Sequence, residues 1–558
     1  ALCGILLKPH DDNAKPSRLT RFFNAFNNWF EKFTRGYVKK VGLFIGKAKF
    51  CLIFLVIIIG LMGWLFKTLP STFVPDEDQG FFIASINLPE GTSLNQTQKT
   101  VDDYADQLQK IPGVADVMDV TGFDILTSST KSSGGVVFVG LKPWDERKTP
   151  QTQINAEIGN AFKLGMGFPQ ASIIALNPPA LPGLDAFGGF NMQLEDMSGH
   201  TDEELNEIAQ KITAAANQRP ELQSVYTTFQ INTPNYQFDI DREKVKKLGV
   251  SLNDVFNALQ INFGGYPVND FNKFGKTYKV MLQADTSFRG EVDSTRFIFV
   301  KSSSGQLIPL NTLLKPKLES APTTVTRFNA AKSITIQGNA KSGYSSGQAM
   351  TAIQEVTKQI APSGFETEWS GQSREEQKAG SSTVQIMVLA LVFVFLCLAA
   401  LYESWSVPYA VLLSVPSGIF GALLSGMLLN QQNSIYMQIG IIMLIGLSAK
   451  NAILIIEFAK VRVDRGMPVI KAAMEAAQLR LRPILMTSLA FIIGCLPLAV
   501  ASGAGAAARN NMGIAVVGGM FIATTFGIFL IPVMFVVVEK AAAFFTKKHE
   551  SHKKKNPD

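Results

Sequence analysis

The sequence describes a membrane α-helical bundle of six spans carrying a large α+β domain on one face, the latter built from ferredoxin-like β-α-β sandwiches with an inserted module. Three features carry that reading: long uncharged apolar stretches, a Lys/Arg bias that groups alternate connections on one side, and a strand–helix–strand unit that occurs four times. The chain has 558 residues, 47% hydrophobic and 17% charged, against the ~25% charged of an ordinary soluble domain. The formal net charge of +7 sits beside apolar stretches, which argues against a nucleic-acid partner and for a lipid bilayer.

The uncharged runs Phe50–Phe66, Ala379–Tyr402, Ser404–Ala449, Pro483–Ala508 and Asn510–Val538 set the spans. A span needs about 20 apolar residues, so six transmembrane helices are predicted near 48–68, 382–402, 407–429, 435–459, 483–502 and 511–538. Asn430-Gln431-Gln432-Asn433 and Ser502-Gly503-Ala504-Gly505 mark turns between them. Cys3, Cys51, Cys397 and Cys495 all fall in apolar segments and are expected as packed or lipid-facing small hydrophobes rather than disulfide partners. Residues 8–49 carry ten Lys/Arg against three acids, 460–482 six against two, and the tail from Glu539 six against three. Alternating six spans puts these three segments on one face, the cytoplasmic one by the positive-inside rule, and residues 70–371 on the other.

Before the first span, 8–47 reads as an amphipathic connecting helix along the inner membrane surface, with Phe22, Phe23, Phe26, Trp29, Phe30 and Phe33 at helical spacing among Arg and Lys. Ala1–Leu7 reads as the end of a preceding transmembrane helix, and no signal-peptide pattern is present. The first two units of the repeat are Phe82–Leu88, 96–110, Val114–Val120 and then Val136–Leu141, 152–164, 171–176. The other two are Phe190–Leu194, 203–217, Leu222–Phe229 and Ser333–Gly338, 346–360, 366–369. Thr201 to Glu204 forms a capping box at the third helix. Units pair into β-α-β-β-α-β sandwiches. Roughly a hundred residues separate the third and fourth units, so 230–321 is an insertion with its own strands (Tyr236–Ile240, 277–284) and helix (252–261).

No catalytic constellation stands out. The phosphate-cradling Gly-x-x-x-x-Gly-Lys-Ser/Thr run is absent. His10, His200, His549 and His552 lack zinc spacing, and Met118, Met166, Met192, Met197, Met281 and Met350 form no cluster for a soft metal. The expectation is a transporter rather than an enzyme, with no metal and no cofactor. Lys450 stands out instead: it lies about 22 Å into the span that starts near 435, at ~1.5 Å per residue. A lysine there must pair, hydrate or lose its proton. The acids near a span, Glu403 and Glu457, are poor partners; Glu457 shares its helical face but lies about 10 Å along the axis.

Four runs resemble one family. Gly446-Leu447-Ser448-Ala449-Lys450-Asn451-Ala452-Ile453-Leu454 is similar to the tenth-helix motif of resistance-nodulation-division (RND) efflux pumps. Phe395–Ser406 resembles their eighth-to-ninth helix junction, Arg480–Ser488 the start of their eleventh helix, and Phe73–Gly80 the approach to their porter domain. The resemblance covers essentially the whole chain and is to the C-terminal half of an AcrB-like, hydrophobe/amphiphile efflux pump, with the MexF/AdeG branch suggested.

The resemblance implies a homotrimer in a Gram-negative cell inner membrane that exchanges protons for small-molecule drugs and works with a periplasmic adaptor and an outer-membrane channel. It implies porter subdomains at 70–182 and at 183–229 with 322–370, and a docking subdomain at 230–321. Spans at 48–69 and 371–540 and a basic cytoplasmic tail at 541–558 complete the layout. By the same resemblance Lys450, Asn451, Thr487 and Arg480 match the proton relay, whose aspartates belong to a half this chain lacks. Phe123 and Phe138 match aromatic positions of the drug pocket, expected to line an apolar cleft between the sandwiches. The loop Asp124–Lys131 departs from the family's Gly-Phe-rich switch loop. An RND-type exporter of metal ions or lipids is the alternative, and a non-transport use of the same fold, as a sterol-sensing receptor or protein-export accessory, is a further one.

Overall fold

The computed structural model describes residues 18–555 apart from 182, 186, 187, 232, 323 and 342; the expected helix end at Ala1–Leu7, with Cys3 and His10, lies outside them. The first helix, α1 (Arg18–Gly46), turns at Lys47 into α2 (Ala48–Thr68), the first candidate span. The amphipathic reading explains why α1 forms where it does: Tyr37, Val41 and Ile45 fall on one stripe and are buried against the membrane bundle.

The first half of the extramembrane domain comprises β1 (Phe81–Asn87), α3 (Leu94–Leu108), β2 (Val114–Asp124), β3 (Ser129–Leu141), α4 (Ile154–Gly165) and β4 (Ser172–Leu176). Its strands pair antiparallel in the order β2-β3-β1-β4. Period-two alternation divides β1 between two faces. Phe82, Ala84 and Ile86 pack on Val101, Tyr104 and Leu108 of α3 and Ala161 of α4, with the Tyr104 hydroxyl donating to the Ala161 carbonyl at 2.9 Å. Ile83 joins Val136 and Leu176 on the opposite face.

β5 (Phe190–Asp196), α5 (Asp202–Ala216) and β6 (Leu222–Thr227) begin the second half. The insertion follows: β7 (Thr233–Ile240), α6 (Arg242–Lys247), α7 (Leu252–Leu259), the exposed hairpin β8 (Tyr266–Lys273) and β9 (Lys276–Leu282), β10 (Phe299–Lys301), β11 (Leu307–Pro309) and β12 (Leu314–Ala321). β7 and β12 pair along their length and close the insertion at its base. Val245, Val255, Ile298, Leu310 and Leu313 form its own core. The interrupted half then resumes with β13 (Thr326–Phe328), β14 (Ala331–Ala340), α8 (Ser346–Ile360) and β15 (Phe365–Trp369). β6 and β13 both pair with β14, β14 with β5, and β5 with β15. The order β6-β14-β5-β15 repeats that of the first sheet, and the capping box at Thr201 is formed reciprocally with Glu204.

The first strand of the second unit is expected from Val136, whereas β3 begins at Ser129. β2 and β3 form a long hairpin whose connection is only four residues, 125–128. Gly122, at φ +88° where the register slips between Thr121 and Phe123, absorbs the bulge.

The membrane helices are α9 (Gly371–Tyr402), α10 (Val407–Leu412), α11 (Val415–Leu428), α12 (Ile435–Asp464), α13 (Val469–Ala499) and α14 (Ala506–Lys555). Six helical segments among the described residues are long and apolar enough to cross a membrane: Ala48–Thr68, Val384–Tyr402, Val407–Leu428, Ile435–Asp464, Val469–Ala499 and Ala506–Phe544. Two boundaries differ from expectation. The third span is two helices, because Pro416 lacks the amide that would bond back one turn; the Ser414 hydroxyl donates to the Val411 carbonyl at the break. The fifth begins at Val469 rather than Pro483. Ala472, Ala473, Ala476 and Ala477 are fully buried and extend the helix inward through Pro483, which stays within it. Cys51, Cys397 and Cys495 are free thiols.

Candidate functional site

α12 and α13 run antiparallel, and the side chains between them fix their register. Asn451, buried, donates from Nδ2 to Ser488 Oγ at 3.2 Å. Lys450 and Thr487 each precede one of these residues and so share their level, about 20 Å along either helix from its outer end. Lys450 and Thr487 are exposed, so they face away from the bundle. The Thr487 hydroxyl donates to the Ile484 carbonyl of its own turn at 3.1 Å. Lys450 has no hydrogen-bond or ion-pair partner among the described residues. Asn451 Oδ1 and the buried Ser448 Oγ are also unpartnered there. The unpartnered atoms thus lie on the same helix as Lys450, within two residues of it.

Arg480 stands apart. Its guanidinium lies over the Phe458 ring at 3.5 Å, and Phe458 is eight residues beyond Lys450, about 12 Å along the axis. The structure therefore places Lys450, Asn451 and Thr487 at one level of the helix pair and leaves Arg480 nearer the end away from the extramembrane domain. Ser488, the hydrogen-bond partner of Asn451, was missed, although it adjoins Thr487 in the run that carries the resemblance.

A cleft of about 480 Å³ opens between the two sheets of the extramembrane domain. Phe123 and Phe138 are not among its lining residues. Both are half-buried on the helix-free face of the first sheet, with Ile83, Val136 and Leu176, behind the hairpin connection. One wall comes from the hairpin and presents Leu126, Thr127 and the ion pair between Lys131 and Glu90. The facing wall presents Gln193, Thr335 and Gln337. They alternate with Leu194, Ile334 and Ile336, which point to the helices, so the polar wall was already written in the alternation of β5 and β14. Buried Asp124 holds the hairpin connection, accepting from the Leu126 amide at 3.0 Å and the Thr127 hydroxyl at 2.9 Å. Burial and the nearby Asp124 push the Tyr226 hydroxyl up, well above its ordinary range. The Tyr226 hydroxyl is 2.9 Å from Gln337 Oε1.

Carboxylates that the sequence left unassigned tie this domain to the membrane helices. Glu77 Oε1 accepts from the Ala508 amide in the first turn of α14 at 2.8 Å. Asp185 Oδ2 accepts from the Gln372 amide in the first turn of α9 at 2.6 Å, and burial raises this carboxyl above the ordinary range. Glu376 accepts from the Ser346 hydroxyl at 2.7 Å, and burial raises it too. Among the described residues no group of His, Cys, Asp or Glu is placed to hold a metal ion.

Comparison with known proteins places these features in context. The AcrB/AcrD/AcrF family matches residues 1–539. The multidrug export protein AcrF of Escherichia coli is 39% identical over 550 residues, covering 97% of this chain and 52% of its own length. The toluene efflux pump membrane transporter TtgB of Pseudomonas putida is 38% identical over 553 residues, covering 99% and 52%. The multidrug resistance protein MdtF of Escherichia coli is 37% identical over 553 residues, covering 98% and 53%. The chain spans about half the length of the curated relatives it matches.

Proposed function

Because the chain belongs to the AcrB/AcrD/AcrF family, we propose that it acts in a proton-driven exporter of amphiphilic drugs or solvents. The exporter sits in a cell inner membrane, and the extramembrane domain lies in the periplasm. The assembly is a homotrimer that passes substrate to an outer-membrane channel through a periplasmic adaptor. The two β-α-β-β-α-β halves are ferredoxin-like porter subdomains, and residues 230–321, with their separate core, are the docking module.

Lys450 carries this reading: an exposed lysine at mid-span with no partner among the described residues, at the level of Asn451 and Thr487. A carboxylate from outside the described residues pairs with it when ionised and releases it on taking a proton. The helix pair then repacks, an equilibrium that both proton and substrate bias. Asn451 and Thr487 offer hydrogen bonds to the rearranged groups, and Arg480 contributes charge at the inner end of the pair rather than direct contact. The cleft between the sheets takes the substrate's polar part, and the apolar layer holding Phe123 and Phe138 takes its hydrocarbon part.

Dye efflux by the full-length protein in a pump-deficient strain tests this. Lys450→Met keeps length and removes charge, so efflux is lost while assembly and dye binding persist. Lys450→Arg keeps charge but not shape and also fails. Full efflux by the Met variant would sink the relay.

A further inference from the structure

The inner end of the bundle carries a second unpartnered feature. The anchor of α1 on the bundle lies mainly in its C-terminal half, with Phe30 also packed against the core. The Tyr37 hydroxyl donates to the Ile528 carbonyl of α14 at 2.7 Å, and the Tyr37 and Phe44 rings meet Phe529 at 5.3 and 5.7 Å. Ile528 lies 22 residues from the outer end of α14, about 33 Å, which is the inner boundary of a hydrocarbon layer about 30 Å thick. The anchor therefore fixes α1 at headgroup depth.

The N-terminal half of α1 projects from this anchor with an aromatic stripe uncovered. Phe26, Trp29 and Phe33 are exposed, yet their rings are ordered against one another: Phe26–Trp29 at 5.9 Å and Trp29–Phe33 at 5.8 Å. At 100° per residue, Arg21, Lys32, Arg35 and Lys39 fall on a separate stripe of the same helix. The helix holds six Lys/Arg and one acid, Glu31, which is paired with Arg35 at 3.5 Å. Arg21, Lys32, Lys39 and Lys40 have no ion-pair partner among the described residues. A fifth such cation comes from another helix: Arg482 of α13 is exposed, with its guanidinium 5.8 Å from the Phe30 ring. Arg482 lies 17 residues from the outer end of α13, about 26 Å, close to the same depth as the anchor. Charge and depth together select one occupant.

We propose that α1 and Arg482 form a docking surface for anionic phospholipid headgroups of the inner leaflet. The aromatic stripe enters the acyl boundary while Lys32, Lys39 and Arg482 hold phosphate-bearing headgroups above it. This rests on the proposed orientation, which places the inner end of the bundle in the cytoplasmic leaflet. It adds a lipid preference that the orientation alone does not require.

The test uses the full-length protein reconstituted in vesicles of phosphatidylcholine, or of phosphatidylcholine with phosphatidylglycerol, either lipid being supplied with brominated chains. Quenching of Trp29 is read as the difference between the wild type and Trp29→Phe. Brominated phosphatidylcholine reports whether α1 lies on the bilayer; the ratio of the two lipids reports headgroup selection. The expected result is quenching by both, with phosphatidylglycerol favoured roughly tenfold at low salt and the preference shrinking at high salt. In Lys32→Gln/Lys39→Gln/Arg482→Gln the preference falls to about one while quenching by phosphatidylcholine persists. Lys32→Arg/Lys39→Arg, which keeps the charge, retains the preference. Equal quenching of the wild type by the two lipids would overturn the proposal and leave the orientation standing. No quenching of Trp29 by either lipid would overturn both.

Discussion

Removing the Glu77 side chain should loosen the outer end of α14 by an amount the structure bounds. The Ala508 amide is one of the orphan donors that open any α-helix, and among the described residues its acceptor is the Glu77 carboxyl at 2.8 Å. Glu77 is 8% exposed, so water cannot take over its place without rearrangement. A hydrogen bond to a charged group is worth about 1.5–3 kcal/mol, and favourable charge at a helix N-terminus is worth about 0.3–1 kcal/mol, up to about 2 where partly buried. In Glu77→Ala, local opening of the first turn of α14 should therefore become easier by about 1.5–3 kcal/mol, which is roughly ten- to 150-fold in equilibrium constant. Hydrogen exchange of the 506–509 amides, measured on the intact protein by mass spectrometry, reads that factor directly. Glu77→Gln keeps an acceptor without the charge and should give an intermediate acceleration. Amides in the middle of α12 should exchange as in the wild type. Unchanged exchange at 506–509 in Glu77→Ala would refute the reasoning, because the cap would then contribute nothing that solvent does not supply.

The two faces of the first sheet should respond differently. Phe82→Ala removes a fully buried ring from the helix-side core and should cost about 3–5 kcal/mol, visible as lost expression. Phe138→Ala, on the half-buried opposite face, should leave expression intact and shift the profile of exported dyes; collapse of expression there would make it core. In the turn after β5, burial of Asp196 opposes its ionisation. The His200 imidazole at 2.7 Å and the amides of Ser198, His200 and Gly199 outweigh this and hold the carboxyl below the usual carboxylate range. Since the folded pKa is the lower one, the stabilisation is present above the unfolded value of about 3.9 and lost as pH falls below it. Asp196→Asn should lower stability near neutrality and flatten the acid limb of a pH–melting profile below about pH 4; an unaltered limb would discount the pairing.

What was legible in the sequence is what rests on local pattern. Uncharged length marked the spans, and the alternation of Phe82, Ala84 and Ile86 marked the strands. Thr201 with Glu204 marked a helix start, and the hundred-residue gap marked an insertion with its own core. Where two local rules competed, the boundary moved. Pro416 broke a span that hydropathy alone kept whole, while Pro483 failed to start one because the alanines before it pack. The cleft was out of reach for a different reason: its position follows from how two sheets face each other, and its polar wall from the less apolar face of β5 and β14. Attention to aromatic residues pointed instead to the helix-free face of the first sheet, where Phe123 and Phe138 lie. The caps at Ala508 and Gln372 were out of reach, since each joins residues far apart in the chain (431 and 187 positions), and no period or spacing encodes such a pair.

Those long-range caps change how motion at Lys450 can reach the cleft. A Cβ at Gly519 of α14 would meet Leu444 Cδ1 of α12, and the Gly418 carbonyl of α11 at 2.9 Å. The three helices therefore touch without slack two turns from Lys450. A displacement of α12 there would therefore press on α14. At its outer end α14 is held by Glu77, whose neighbour Asp78 is gripped by both terminal nitrogens of Arg147 at 2.9 and 3.1 Å. Arg147 in turn donates to the Lys142 carbonyl at 2.6 Å, just past the end of β3. β3 is the strand whose other end becomes the hairpin wall of the cleft. Under the proposed role of Lys450, the elements that join it to that wall are two helices, α12 and α14, one carboxylate cap, one bidentate ion pair and one strand. A single hydrogen bond, at Ala508, joins α14 to the cap, so Glu77→Ala, remote from both sites, tests the proposed link between the lysine and the cleft.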